Sequence, residues 1–323
     1  VKSRNKALKE HLAELRARAI TAKTPADIDK AAEAITSFSK QQKYQFNHTF
    51  AIMALAFAGL MAILSYWSQM DLTYEDRMWL RVAAGVSAIG AIAVIWMRYS
   101  TVKKAGDLLY VRAVAIQAGI VRDYEYNGKE YWRQLKALFP LFKCGDEGQS
   151  ITKRYLGGVD TTPFTLFEFK YVDVSTSTST DSNGTTRTTE SKTTKYKYGV
   201  LVQFTDFNYL SLNTKRFQAR WDSASRAFNK LFKVRALTEM HAAKFFEPKV
   251  VLEFTDKFNF VKSLDVTGDS VACIELPKQV FPSEVRKPKL QETTRYLEGI
   301  DKPASIPILE LTKELVQFIN QNK

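Results

Sequence analysis

The sequence predicts an α+β membrane protein: N-terminal helices, a two-helix transmembrane hairpin, and a cytoplasmic α+β domain with a long β-hairpin ribbon. Three observations predict it. Two apolar stretches without a charge, 50–67 and 82–97, lie close together. Two runs rich in aromatic and β-branched residues, 164–174 and 196–204, alternate as strands do. Between those runs lies a Thr/Ser-rich segment, 175–194, with Asn183-Gly184 near its midpoint.

At 323 residues the chain has room for the hairpin and one soluble domain of ordinary size. The composition shifts divide it into a basic helical tail (1–45), the hairpin (46–98) and a cytoplasmic domain (99–323) that includes a ribbon at 174–195.

In the tail, Leu8, Leu12, Leu15 and Ile20, with Ala19, fall on one helical face, and the opposite face is rich in Lys and Arg. Two readings fit such a helix: it lies on an anionic membrane surface or a partner, or it packs on its own domain. Thr24-Pro25 reads as an N-cap and first helical residue, with Asp27 and Asp29 at the favourable end of the helix dipole. Ile28, Ala31, Ile35 and Phe38 continue that helix, which is expected to run on into the first span.

Phe50, Leu60 and Trp67 mark the first span; Trp79, Gly85, Gly90 and Trp96 mark the second. Each stretch approaches the ~20 residues that a helix needs to cross a bilayer. Tryptophans at span ends suit the interface. A signal peptide is a poorer reading of the first span, because a charged tail precedes it and no small-residue cleavage site follows. Ala54, Ala58 and Ala62 on one span, and Ala83, Ser87 and Ala91 on the other, predict close helix approach, within the hairpin or between copies. No ionisable residue sits mid-span, which argues against a pump or secondary transporter.

Charge sets an expected topology. The net charge is +13. Residues 1–47 carry ten basic and five acidic side chains, and residues 98–323 carry 35 and 26, whereas the loop 68–81 carries two and three. The positive-inside rule therefore places both termini in the cytoplasm.

Leu108–Arg122 is the next helical candidate. Composition alone makes 175–194 a mobile loop, but Asn183-Gly184 favours a tight hairpin turn and Thr favours strands. A ribbon with no apolar face needs a partner, and Thr180, Asn183, Gly184, Thr185 and Arg187 are its candidate contact residues. Asp222–Val234 and Leu237–Phe246 read as helices, Val250–Phe254 and Val271–Leu276 as strands, and Ile308–Asn320 as a closing amphipathic helix.

The order of several short motifs is familiar. These include Phe139-Pro-Leu-Phe142, Tyr155-Leu-Gly-Gly158-Val-Asp160, Tyr198-Gly199-Val-Leu-Val, Phe232-Lys-Val234 and Ala242-Ala-Lys-Phe-Phe-Glu-Pro248. With the basic tail and hairpin, they resemble a bacterial two-span membrane family catalogued as domain of unknown function three-one-three-seven. The resemblance covers most of 40–285 and implies a bacterial inner membrane, but no reaction. The Thr-rich insert and the basic tail depart from the family pattern.

Chemistry is hard to find. His11, His48 and His241 stand apart from one another, without metal spacing to Cys. No phosphate loop, dinucleotide fingerprint, nucleophile elbow or zinc-protease motif occurs. Cys144 and Cys273 are read as free, buried thiols. Gly157-Gly158 with Asp160 suits a turn. Lys215, Arg216 and Arg220, and the basic residues between Lys278 and Lys289, suit anionic lipid better than nucleic acid, and a plain solvated face is commoner than either. The expectation is a non-enzymatic scaffold without metal or cofactor, self-assembling or binding other membrane or cytoplasmic proteins. A channel or transport subunit is the second reading. A membrane enzyme using Asp160, Glu168 or Asp206 is the third.

Overall fold

The computed structural model describes residues 4–66, 73–180, 186–204 and 208–321. They begin with helices α1 (Arg4–Thr21), α2 (Pro25–Gln41), α3 (Thr49–Tyr66) and α4 (Tyr74–Gln117). Then follow β1 (Ile120–Asp123), α5 (Gly128–Leu138), β2 (Glu147–Val159), β3 (Thr162–Thr180) and β4 (Thr186–Gln203). Next are β5 (Leu210–Leu212), β6 (Ala219–Trp221), α6 (Arg226–Leu231), β7 (Val234–Ala236), α7 (Glu239–Phe245) and α8 (Pro248–Asp256). Strands β8 (Ser263–Val266) and β9 (Val271–Leu276) and helices α9 (Thr293–Asp301) and α10 (Pro307–Gln321) complete the chain. They form two compact units: Val1–Val114 with Arg286–Ala304, and Ala115–Val285 with Ser305–Lys323.

The first unit is helical. Leu8, Leu12, Leu15 and Ala19 of α1 are buried, so its apolar face packs within the protein. Ile20 lies outside that face and is 46% exposed. Thr24 and Asp27 form the capping box that starts α2, with Pro25 in the first turn, where its missing N–H costs nothing. Contrary to expectation, α2 does not continue into α3. Gln42 is extended, and Tyr44, in the connection to α3, is only 1% exposed. Its hydroxyl lies 2.7 Å from His11 Nε2, and the His11 ring stacks on Phe38 with centroids 4.1 Å apart. A buried aromatic anchor therefore ends the helix.

Nor does the second apolar stretch end near Arg98. Helix α4 runs 44 residues without a break, absorbing most of the predicted helix 108–122. Gly119, at φ +67°, then turns the chain into β1. Three arginines bind α4 to its neighbours. Arg98 Nη1 donates to Asn47 O at 2.7 Å, Arg16 Nη2 donates to Thr101 O at 3.0 Å, and buried Arg112 Nε donates to Ala22 O at 2.7 Å.

The second unit is built on one antiparallel sheet of order β1-β2-β3-β4-β9-β8-β5-β7-β6. Phe142 packs between Phe167 and Phe169 of β3, with centroids 5.0 and 5.2 Å away. A second aromatic cluster joins Phe228, Phe232, Phe246, Phe254 and Phe258, and Phe318 of α10 meets Phe258 at 5.5 Å.

Two sequence readings are corrected here. Val250–Phe254 is helical, within α8: Pro248 opens the helix, and Val250, Val251 and Phe254 bury one face at 3–4 spacing. Asp222–Val234 is helical only at Arg226–Leu231: Ser225 caps the helix start, and Val234 is drawn into strand pairing opposite Trp221.

Burial holds the His11 imidazole below its ordinary 6.5, with Glu14 opposing and Arg18 adding to the shift. The unfolded chain therefore takes up this proton first, and His11 costs stability as pH falls below about 6.5 until the folded imidazole also protonates. His11→Gln is expected to flatten that acid slope in urea denaturation at several pH values.

Candidate functional site

The ribbon is the outer half of the β3–β4 ladder. Pairing is unbroken from Phe164 opposite Val202 to Thr180 opposite Thr186. The inner half lies on the aromatic core, and Phe167 and Phe169 are fully buried. From Ser175 outward every described residue is exposed on both strands, Thr180 and Arg187 included. Asn183, Gly184 and Thr185 lie outside the described residues.

Neighbouring strands stop short of this outer half. Strand β2 leaves β3 at Val172, and Asp146 accepts from the next edge donor, Val174 N, at 2.7 Å. Strand β9 leaves β4 at Tyr198. Beyond those points, among the described residues, both ribbon edges present main-chain N–H and C=O groups with no strand beside them. Six residue pairs, Ser175–Thr180 against Thr186–Ser191, make about 20 Å of such ladder.

Ion pairs hold the root. Lys192 Nζ is 2.9 Å from Glu147 and 3.2 Å from Glu190, and Lys195 Nζ is 2.8 Å from Asp173. These bonds raise both lysine pKa values, but full exposure to water keeps the pairs weak. The firmer anchor is Gly199, opposite Phe167: a side chain there would meet the Ile274 carbonyl oxygen and the Phe167 ring.

The two apolar helices are long and apolar enough to cross a membrane. Their mutual seam has a seven-residue repeat: Ala51, Ala58 and Ser65 are buried on α3, Ala84 and Ala91 on α4. Ser87 Oγ donates to Ala54 O across it at 3.1 Å. Ala83, picked from the sequence, is exposed; the seam uses Ala84, one position on. Phe50, Leu60, Trp79 and Trp96 all point away from the seam, with 52% or more of each exposed. Gly85 and Gly90 also face open space. Trp67 lies outside the described residues. Arg81 stacks over the Tyr66 ring at 4.4 Å.

Two of the three candidate carboxylates lie within the described residues. Asp160 sits at φ +51° in the exposed turn between β2 and β3. Glu168 is buried and already bound, accepting from Thr152 Oγ1 at 2.7 Å and Lys153 Nζ at 2.6 Å. Asp206 lies outside the described residues. Among the described residues, no group of three His, Cys, Asp or Glu gathers as metal ligands.

The two free cysteines border one aromatic core, and burial pushes the Cys273 thiol well up, away from thiolate. Buried Asp265 faces Cys273 across the β8–β9 pair and accepts from Thr214 Oγ1. Burial raises its pKa against that bond and the field of Arg216. Its neighbours come from distant segments, so no local pattern marks it.

Of the basic cluster, Arg216 donates to Leu138 O and Arg220 pairs with Asp222 at 3.1 Å. Lys278 pairs with Glu284 at 3.0 Å. Arg286, Lys287 and Lys289 instead line a cavity of about 500 Å³ in the helical unit. No family model, curated protein or solved structure matches this chain.

Gly199→Ala is expected to cost more than about 2 kcal/mol of stability, because the clash is with main chain and a packed ring. Gly85→Ala, in open space, is expected to stay within about 1 kcal/mol of the parent. Equilibrium unfolding in detergent separates the two.

Proposed function

We propose that this protein is a non-enzymatic scaffold of the bacterial inner membrane, anchored by the α3–α4 hairpin, that assembles with copies of itself through the ribbon. Membership of the unknown-function family is part of the same proposal. The observation that carries it is an exposed two-stranded ladder with both edges open. Such edges are templates for strand addition, and isolated two-stranded ribbons are marginal in water.

Charge favours a second copy as the occupant. The chain carries +13, so most faces of two copies repel. The segment 175–194 is neutral, with Asp181 and Glu190 balanced by Arg187 and Lys192. Apolar residues cover the outward face of the hairpin, a surface that suits lipid better than water. Basic residues flank the hairpin where it meets the tail and the lower half of α4, supporting cytoplasmic termini.

Deleting 175–194 is expected to lower the particle mass of gently extracted protein, read by light scattering, while helical circular dichroism persists. An unchanged mass would remove the ribbon from assembly. For topology, cysteine is placed at Thr73 or at Thr188 in a Cys144→Ser, Cys273→Ser background. Impermeant maleimide on spheroplasts is expected to label position 73 only; the reverse pattern rejects cytoplasmic termini.

A further inference from the structure

We propose that the basic cavity of the helical unit binds a phosphorylated small molecule or headgroup, with Arg286, Lys289 and Tyr110 as the principal contacts. The cavity is walled by the segment leading into α9, by α9 itself and by one side of α4. Arg286, Lys287, Lys289 and Arg295 line it with only two carboxylates, Glu292 and Glu298. Glu292 is engaged at 3.5 Å by Arg295. Among the described residues, Arg286 and Lys289 have no ion pair. Like charges gathered round one concave space repel, and an anion in that space relieves the repulsion.

A second, independent observation points into the same space. Tyr110 is only 4% exposed and lines the cavity, yet its hydroxyl donates no hydrogen bond among the described residues. Its neighbour Tyr296 is fully buried and instead donates to Gly106 O at 2.6 Å. The Tyr110 oxygen itself is not enclosed, so it can donate to an anion held in the cavity. Gly299 keeps the wall open at this point: a Cβ there would stand 3.0 Å from Pro288 Cγ and 3.4 Å from Tyr110 Cε2.

The donor set selects the chemistry. A guanidinium forks onto two oxygens of one phosphoryl group, an ammonium adds a point charge, and a phenol adds one directed donor. The volume, about 500 Å³, falls among small-molecule pockets and exceeds a bare phosphate, so the phosphoryl group arrives on an organic carrier. That carrier is either soluble or a lipid. Tyr110 lies twelve residues beyond Arg98 on the same helix, about 18 Å along its axis, which places the two sources within one test.

Full-length protein in detergent is titrated calorimetrically with pyrophosphate and with dihexanoyl phosphatidic acid. Sodium chloride at matched ionic strength and dihexanoyl phosphatidylcholine serve as controls. Saturable binding of at least one phosphoryl probe is expected, weakened about tenfold or more in Arg286→Gln/Lys289→Gln. Tyr110→Phe, which removes one oxygen and keeps the ring, is expected to weaken it severalfold with the melting temperature held. Tighter pyrophosphate binding assigns a soluble ligand; tighter phosphatidic acid binding assigns a lipid. No saturable binding of either probe, or equal affinity in parent and variants, overturns the site.

Discussion

The β3–β4 ladder is the element on which the second unit depends. One continuous antiparallel pairing does two jobs along its length. Its inner half places Phe167 and Phe169 against Phe142 and joins β9 through Gly199. Its outer half keeps the same register with no core beneath it. Side chains alternate strictly along a strand, so a slip of one residue at the root would put buried Leu166 and Glu168 in place of those phenylalanines against Phe142. The core thus sets the register of a ribbon whose own Thr and Ser residues could pair in several ways.

The helical unit rests on a different kind of interaction. Arg98, Arg16 and Arg112 give side-chain donors to carbonyls of other segments, at Asn47, Thr101 and Ala22. Asn5 and Asn47 exchange two more bonds, at 3.1 and 2.7 Å. The Asn47 and Ala22 carbonyls sit in connections, where helix geometry leaves them available, whereas Thr101 O lies inside α4 and takes Arg16 from outside the helix. Arg112 is buried, and its alkyl stem lies in the same apolar interior as Leu109 and Ala113. Among the described residues of the same unit, Arg286 and Lys289 have no ion pair, and Tyr110 lines the cavity beside them. Buried polar atoms without a partner also occur elsewhere in this unit, at Gln42 Nε2 and His48 Nδ1, so it is the gathering of cations round one cavity that sets this site apart.

Much of the architecture is legible from periodicity. Leu8, Leu12 and Leu15 mark the buried face of α1, Thr24-Pro25 marks the start of α2, and Asn183-Gly184 with its Thr-rich flanks marks a ribbon whose paired arms the structure contains. Where local signals compete, reading along the chain falls short. Val250-Val251 has the composition of a strand, yet its helical spacing to Phe254 and a preceding proline decide the outcome. Ala83 and Ala84 are equivalent in sequence, and only the partner helix selects Ala84 for the seam.

What the sequence by itself determined are the features that repeat within a few residues. These are the two uncharged apolar stretches, the amphipathic faces and caps, the strand alternation, and the neutral Thr-rich insert in a basic chain. Each follows from the fixed periods of helix and strand and from the cost of placing charge or apolar surface in the wrong medium. What only tertiary structure decided are meetings between distant segments. Glu168 found Lys153, Asp265 came to face Cys273, and Arg286–Lys289 gathered beside Tyr110, more than 170 residues earlier in the chain. Those meetings depend on the paths of helices and on sheet order, and neither leaves a local trace in the order of amino acids.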